Sequence, residues 1–373
     1  MANKTARLGD LATYINGYAF KPADWGDTGL PIIRIQDLTG NSYQLNRYDG
    51  GYPERIEVND GDVLISWSAS LGVYVWQRGK ALLNQHIFKV VFDKLPVNKD
   101  YFVFAVEHKL AEMESKTHGA TMKHIVKKDF DGTTIPYPPI EKQAEIADHL
   151  RRITSLIDRQ TEQLLLLDQL VKSRFIELFG DPQRNPHGYK HTKLSDIATY
   201  YNGLTYKPEN VAAEGTIVLR SSNIQNSQLD FADTVRVDCT IKERLMVQKN
   251  DILMCSRNGS AKLVGKVALI KDIQEPMSFG AFMMIIRSHY FGYLMTYFQM
   301  DAFRQQIKNG ATTTINQITG RMLDDVTIPL PPLSLVDQFA IFVEQTDKSK
   351  LAVQKGLQEL EILKKSLMQQ YFG

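Results

Sequence analysis

The sequence predicts an α/β (α+β) protein built as a duplication: a globular domain, a long helix, the same kind of domain again and a second long helix. Three observations predict it. The turn Ile135-Pro136-Tyr137-Pro138-Pro139 opens a segment that ends at Phe179-Gly180, and Ile328-Pro329-Leu330-Pro331-Pro332 opens one that ends at Phe372-Gly373, 193 residues later in both cases. Within both segments apolar residues recur at alternating steps of four and three, the period of a coiled-coil seam. Ahead of each segment lie matching scaffold pieces. At 373 residues the chain exceeds one typical core, so two domains are expected.

In order, the first domain is expected over residues 1–137. Leu8 to Tyr14 (LGDLATY) reads as a short helix, Asn16-Gly17 as a turn and Leu30 to Leu38 (LPIIRIQDL) as a strand. Gly61-Asp62 is a turn feeding the apolar strand that follows. The first helix is expected over 138–180, with prolines before it and Gly at its end as start and stop signals. A Pro-rich polar linker, Asp181 to Gly188, opens the second domain, 181–330. Its Leu194 to Tyr200, Asn202-Gly203, Thr216 to Ile224 and Asn250-Asp251 repeat the pieces of the first, and Arg220 corresponds to Arg34. The second helix is expected over 331–373. A repeat of this length is a duplication rather than a solenoid, whose periods are far shorter.

The first seam runs through Ile146, Leu150, Ile153, Ile157, Gln160, Leu164, Leu167 and Val171, with Gln160 as a register-fixing polar position. The second, more polar in its first half, runs through Phe339, Val343, Thr346, Lys350, Val353, Leu357, Leu360, Lys364, Leu367 and Tyr371. Matching seams fit two helices packed antiparallel within one chain; they fit equally a coiled coil between chains or ordinary core helices.

Composition is that of a soluble globular protein, 43% hydrophobic and 23% charged, with a net charge of only +2, so any basic surface is local. The two cysteines, Cys239 and Cys255, form no disulfide framework or metal spacing and are expected as small packed residues in a reducing cytosol. The N-terminus has no apolar core of a signal peptide, and no run of about 18 apolar residues predicts a membrane span. A cytoplasmic protein is expected. No G-x-x-x-x-G-K-[ST] loop occurs, and no Gly-rich cofactor loop with an Asn/Asp-Pro-Pro-aromatic motif. Neither ATPase nor methyltransferase chemistry is therefore expected of this chain.

The order domain, helix, domain, helix, with Pro-x-Pro-Pro turns opening each helix, resembles the specificity subunit of type I restriction–modification enzymes over essentially the whole chain. The block Gly119 to Ile125 (GATMKHI), then Lys127-Lys128-Asp129-Phe130, then Ile135 to Ile140 and a Gln early in the helix (Gln143, and Gln338 in the second copy) is typical of that family. Arg257-Asn258-Gly259-Ser260 and Gly265-Lys266-Val267 resemble a family loop; the first domain departs there, with Trp67 to Gly72 and no Arg. The resemblance implies two target-recognition domains separated by two antiparallel coiled-coil helices and related by a pseudo-twofold axis. It implies a subunit without catalysis of its own that reads an interrupted, asymmetric site on double-stranded DNA. Two modification subunits, which hold S-adenosylmethionine and methylate adenine, would dock on it, with a restriction/motor subunit joining for cleavage; this chain itself would bind no cofactor. The other reading is a non-catalytic coiled-coil scaffold whose domains bind proteins; sequence-specific DNA binding separates the two.

Base reading needs Arg or Lys for guanine and Asn or Gln for adenine, while phosphate contacts need Lys, Arg, Ser, Thr or backbone N–H groups on loops. In the first domain the candidates are Lys21, Arg34, Gln36, Ser68, Lys80 and Gln85, with the basic tract Lys116, Thr121, Lys123 and His124. In the second they are Lys207, Arg220 and Asn223, the cluster Arg257, Asn258, Ser260, Lys262 and Lys266, and Thr313 with Asn316. Each alone fits a solvated surface side chain as well. His86 and His124 lack a second ligand at zinc spacing, so no metal site is expected. Trp67 and Trp76 are expected to pack. Leu156, Leu165, Leu166 and Leu170, off the seam, exceed what one antiparallel contact needs and are candidates for docking the modification subunits.

Overall fold

A computed structural model describes residues 4–40, 46–116, 127–309 and 316–373. By contacts the chain forms two compact units, Met1–Glu162 with Gln354–Gly373, and Gln163–Val353. The division cuts across both long helices, so each unit holds one domain and half of each helix.

In the first unit Thr5–Arg7 pairs antiparallel with Thr134–Pro136, tying the start of the domain to its proline turn. The expected short helix is Leu8–Leu11. Strand Thr13–Asn16 then opens a four-stranded antiparallel sheet, continued by Ile87–Val91, Val63–Ser66 and Gly72–Val75. A second sheet, ordered Arg47–Tyr48, Leu30–Ile33, Ala81–Leu83, Glu57–Val58, contains one parallel pair, Leu30–Ile33 on Ala81–Leu83. The second unit repeats the plan. His191–Lys193 pairs with Thr327–Pro329. Thr199–Asn202, Met283–Arg287, Ile252–Cys255 and Val267–Leu269 form the antiparallel sheet, and Thr216–Leu219 runs parallel to Met277–Phe279 in the other.

Local chemistry explains the shared turns. Gly61 (φ 91°) and Asn250 (φ 70°) both sit in the left-handed region, which Gly and Asn tolerate best. In each copy the next Asp accepts a backbone N–H three residues back, Asn59 to Asp62 at 2.9 Å and Gln248 to Asp251 at 2.7 Å. The strands so launched, Val63–Ser66 and Ile252–Cys255, are buried along their whole length. The sequence suggested longer strands over 30–38 and 216–224, but they end at Ile33 and Leu219. Asp37 and Asn223 bend back to accept the backbone N–H of Arg34 and Arg220, each at 2.8 Å, and turn the chain into a short helix.

Both long helices run 40 residues, Ile140–Phe179 and Leu333–Phe372, or about 60 Å at 1.5 Å per residue. The seam residues of both are the less exposed ones along each helix. Within each unit the two helices run antiparallel in one chain, which decides between the arrangements the seams left open. In the first unit Ile146 and Leu150 share a core with Met368 and Phe372, and Gln160 faces Gly356. In the second unit Lys350 Nζ lies 2.6 Å from Asp168, and Phe175 packs 5.7 Å from Phe339 between ring centroids. Each helix thus ends in the core of the unit that holds the other domain: Phe179 in the second, Phe372 in the first.

The two early-helix glutamines are not structurally equivalent. Gln143 is buried, accepting the Asn98 N–H at 2.9 Å and donating to the Pro138 carbonyl at 2.9 Å. Gln338 is exposed; the place 193 residues after Gln143 belongs to Val336, which is buried. Among the described residues no helix is long and apolar enough to cross a membrane.

Candidate nucleic-acid interface

At the end of the first strand of each antiparallel sheet the Asn-Gly turn brings two backbones into contact. A Cβ at Gly17 would lie 1.9 Å from the Asn84 carbonyl oxygen, and one at Gly203 would lie 2.1 Å from that of Gly280. Only glycine fits, and the residue after it bridges the facing loop in parallel, Tyr18 to Asn84 and Leu204 to Gly280. In the second unit this crossing gathers loops that carry several of the candidate residues.

In the second unit those loops line a cleft whose wall includes Tyr206, Arg220, Ser221, Ser222, Arg257, Asn258, Phe282 and Asn316. Three of its candidate residues, Arg220, Arg257 and Asn258, lie far apart in sequence from Asn316, and the fold brings all four together. Asn258 Nδ2 donates to Ser221 Oγ at 3.3 Å, and its Oδ1 accepts the Ser260 N–H at 3.0 Å, shaping the loop. Asn316 Nδ2 donates to the Gly259 carbonyl at 3.2 Å. Arg257 is exposed, with its guanidinium 5.5 Å from the centroid of the Phe282 ring. Arg220 is half-buried and ion-paired to Asp233 at 2.6 Å. Behind the loop, burial pushes the Cys255 thiol above its usual range, so it packs as a neutral group.

The other candidates of this domain lie differently. Asn223 is 1% exposed, and its side chain is consumed internally, donating to the carbonyls of Asp230 and Asp233 at 2.8 Å each. It shapes the loop rather than facing a ligand. Lys266 Nζ donates to the Ile224 carbonyl at 3.0 Å. Lys262 and Ser260 are exposed, and Lys207 is exposed with Glu209 at 3.3 Å. Thr313 lies outside the described residues.

In the first unit Arg34 is half-buried, stacked 5.5 Å from the Trp25 centroid, with its Nε 3.6 Å from Asp37. Exposed Gln36, its amide oxygen turned to Arg34, accepts from Nη2 at 2.6 Å. Lys21 and Gln85 are exposed. Lys80 pairs with Glu57 at 2.8 Å, and that hydrogen bond holds the Glu57 carboxyl below its usual range. Ser68 is buried, so its hydroxyl is withdrawn from the surface. Trp76 is buried, and Trp67 stacks on Phe88 at 5.5 Å, as packing residues do. Lys116 closes the helix Lys99–Lys116, while Thr121, Lys123 and His124 lie outside the described residues. Leu156, Leu165, Leu166 and Leu170 are all exposed on the first long helix. Among the described residues no group of three or more His, Cys, Asp or Glu is placed to hold a metal ion.

Sequence reasoning missed Phe282, Tyr206 and Ser221. The signal for Phe282 was present in Gly280-Ala281-Phe282, where two small residues precede an aromatic at a strand start. It was masked by the apolar run that follows.

The family model for the type I restriction modification DNA specificity domain matches this chain twice, over residues 2–167 and 186–362. The type I restriction enzyme EcoBI specificity subunit of Escherichia coli is 24% identical over 303 residues, covering 73% of this chain and 62% of that protein. The MjaVIII specificity subunit of Methanocaldococcus jannaschii is 23% identical over 392 residues, covering 98% of this chain and 91% of that protein. In fold, the chain is similar to the S subunit of a type I restriction–modification system from M. genitalium, with a TM-score of 0.60 at 15% identity, covering 99% and 96% of the two chains.

Proposed function

The chain belongs to the type I restriction modification DNA specificity family, and from that premise we propose that it reads a bipartite, asymmetric DNA site for such a system. Each recognition domain would read one half-site, and the helix pair would carry the chain between them. The observation that carries this reading is a duplicated scaffold with unlike loops. Arg34 and Arg220 occupy equivalent turns, but the second domain presents Arg257, Asn258 and Phe282 where the first has buried Ser68 and partly buried His86. A common frame with different donors suits two different half-sites.

The chain acts by binding and positioning. Methyl transfer to adenine belongs to two docked modification subunits, on which S-adenosylmethionine is bound, and cleavage to an added restriction/motor subunit. The setting is cytoplasmic. With a net charge of +2 the chain supplies little of the sequence-independent phosphate affinity, so its partners contribute much of it. The test is methyl transfer to duplex DNA by the co-purified complex. Methylation is expected only with this chain present; transfer by the modification subunits alone at the same sites would contradict the reading.

The docking surface is the exposed leucine row of the first long helix. Leu166 and Leu170 are 55% and 47% exposed, and with Leu165 at 60% they leave apolar area on this helix outside its filled seam. Leu166→Asp with Leu170→Asp is expected to abolish co-purification of the modification subunits. The unfolding midpoint should move little, by about 0.5 kcal/mol or less, because neither side chain is in a core. A complex that survives the double substitution places the docking surface elsewhere.

A further inference from the structure

Phe282 is 60% exposed, and its backbone is fixed by hydrogen bonds. Its carbonyl accepts the backbone N–H groups of Ser256 at 3.0 Å and Arg257 at 3.1 Å. The next residue begins the strand Met283–Arg287, and Arg257 is itself bridged to Gln317. An aromatic ring therefore stands out of the second domain from a fixed backbone, on the wall of the cleft that carries Arg220, Asn258 and Asn316. A partner that covers such a ring removes its apolar area from water and gains from doing so. The Arg257 guanidinium over its face is oriented before any ligand arrives, which lowers the entropy lost on binding. In the first domain the residue at this place, the one before strand Ile87–Val91, is His86, with a φ of 71° and only partly exposed.

We infer that Phe282 is a specificity-determining residue, its ring packing on the C5-methyl group of a thymine beside a guanine read by Arg257. The inference rests on the DNA-reading function proposed above. An intact duplex offers base edges, not faces, to a protein in the major groove. The thymine methyl is the one apolar group on those edges, and an aromatic or small apolar side chain is what contacts it. Arg257 beside the ring has the donor fork that matches the O6 and N7 acceptors of guanine. The half-site of the second domain accordingly contains a thymine adjacent to a guanine, and the first domain, with His86 in place of the ring, has no equivalent methyl contact.

The experiment uses the complex of this chain with its modification subunits and a duplex carrying the mapped site. Each thymine of one half-site is replaced in turn by deoxyuridine, which removes only the methyl group. For the unsubstituted protein, one replacement is expected to weaken binding roughly fourfold, the worth of one buried methyl group. Phe282→Ala should bind the thymine duplex more weakly by at least that factor and respond to the same replacement by less than about twofold. Phe282→Leu should keep part of the response. Wild-type binding unchanged at every deoxyuridine position, or undiminished sensitivity in Phe282→Ala, overturns the thymine contact while leaving DNA reading intact. Absence of any sequence-specific binding by the wild-type complex overturns both.

Discussion

Phe175→Ala is expected to destabilise the second unit by about 3–5 kcal/mol, the usual cost of emptying a fully buried aromatic position. The ring is wholly buried and makes contacts from three directions: Phe179 at 5.0 Å, Tyr293 at 5.0 Å and Phe339 at 5.7 Å between centroids. These partners come from the first long helix, the second domain and the second long helix. The cavity would therefore loosen the joint where both helices meet the domain, and the three remaining rings cannot collapse into it without Phe179 leaving its edge-on contacts with Tyr293 and Phe339. Urea unfolding of the purified chain measures the loss. Hydrogen exchange locates it, with faster exchange expected in Ile252–Cys255 and Met283–Arg287 and little change in Val63–Ser66 of the first unit. Uniform loss of protection in both units would mean that they do not unfold separately.

Asp251→Ala is expected to cost less, about 2–3 kcal/mol, by a different route: the loss of charged hydrogen bonds from a buried carboxylate. Asp251 is 1% exposed; it accepts Arg287 Nε at 2.7 Å and Nη2 at 2.8 Å, and also the Gln248 N–H. Removing the carboxylate leaves a part-buried guanidinium without its bidentate partner and opens the turn that launches a core strand. Asp62, its counterpart, makes the same turn bond to Asn59, but the strand across from it carries Val91 where the second domain has Arg287. Asp62→Ala should therefore cost only about 1 kcal/mol, the net worth of one hydrogen bond. Equal losses at the two positions, read by urea unfolding, would contradict a stabilising role for the Arg287–Asp251 pair.

The scaffold was legible because repetition made it so. A seam written twice, and the matching Phe-Gly ends, carry the long helices in their spacing alone. Whether the helices pair within one chain was not legible, since an antiparallel seam looks alike within and between chains. The contacts between the helices, such as those of Gln160 with Gly356 and of Lys350 with Asp168, decide it. The residue type of Asn223 suits adenine, but a local pattern points the other way. Asp37 and Asn223 stand three residues after an Arg, and Asp24 and Asn210 three after a Lys, and all four turn back onto that residue's backbone N–H. That Arg257 and Asn258 sit on a loop was legible from its composition. Phe282 was not, because periodicity assigns an aromatic at a strand start to the core, and only burial shows the ring facing out.

The most direct measurement is a genome-wide map of N6-methyladenine in cells that carry this chain with its modification subunits, in cells lacking it and in cells carrying Arg257→Ala. One bipartite motif is expected, and it should disappear without the chain. In the Arg257→Ala cells one half should relax at a single guanine, as the loss of about 1–3 kcal/mol of base discrimination would produce, with the other half unchanged. A motif that persists without the chain, or one whose two halves degrade together on Arg257→Ala, would contradict a protein whose two domains each read their own half of the site.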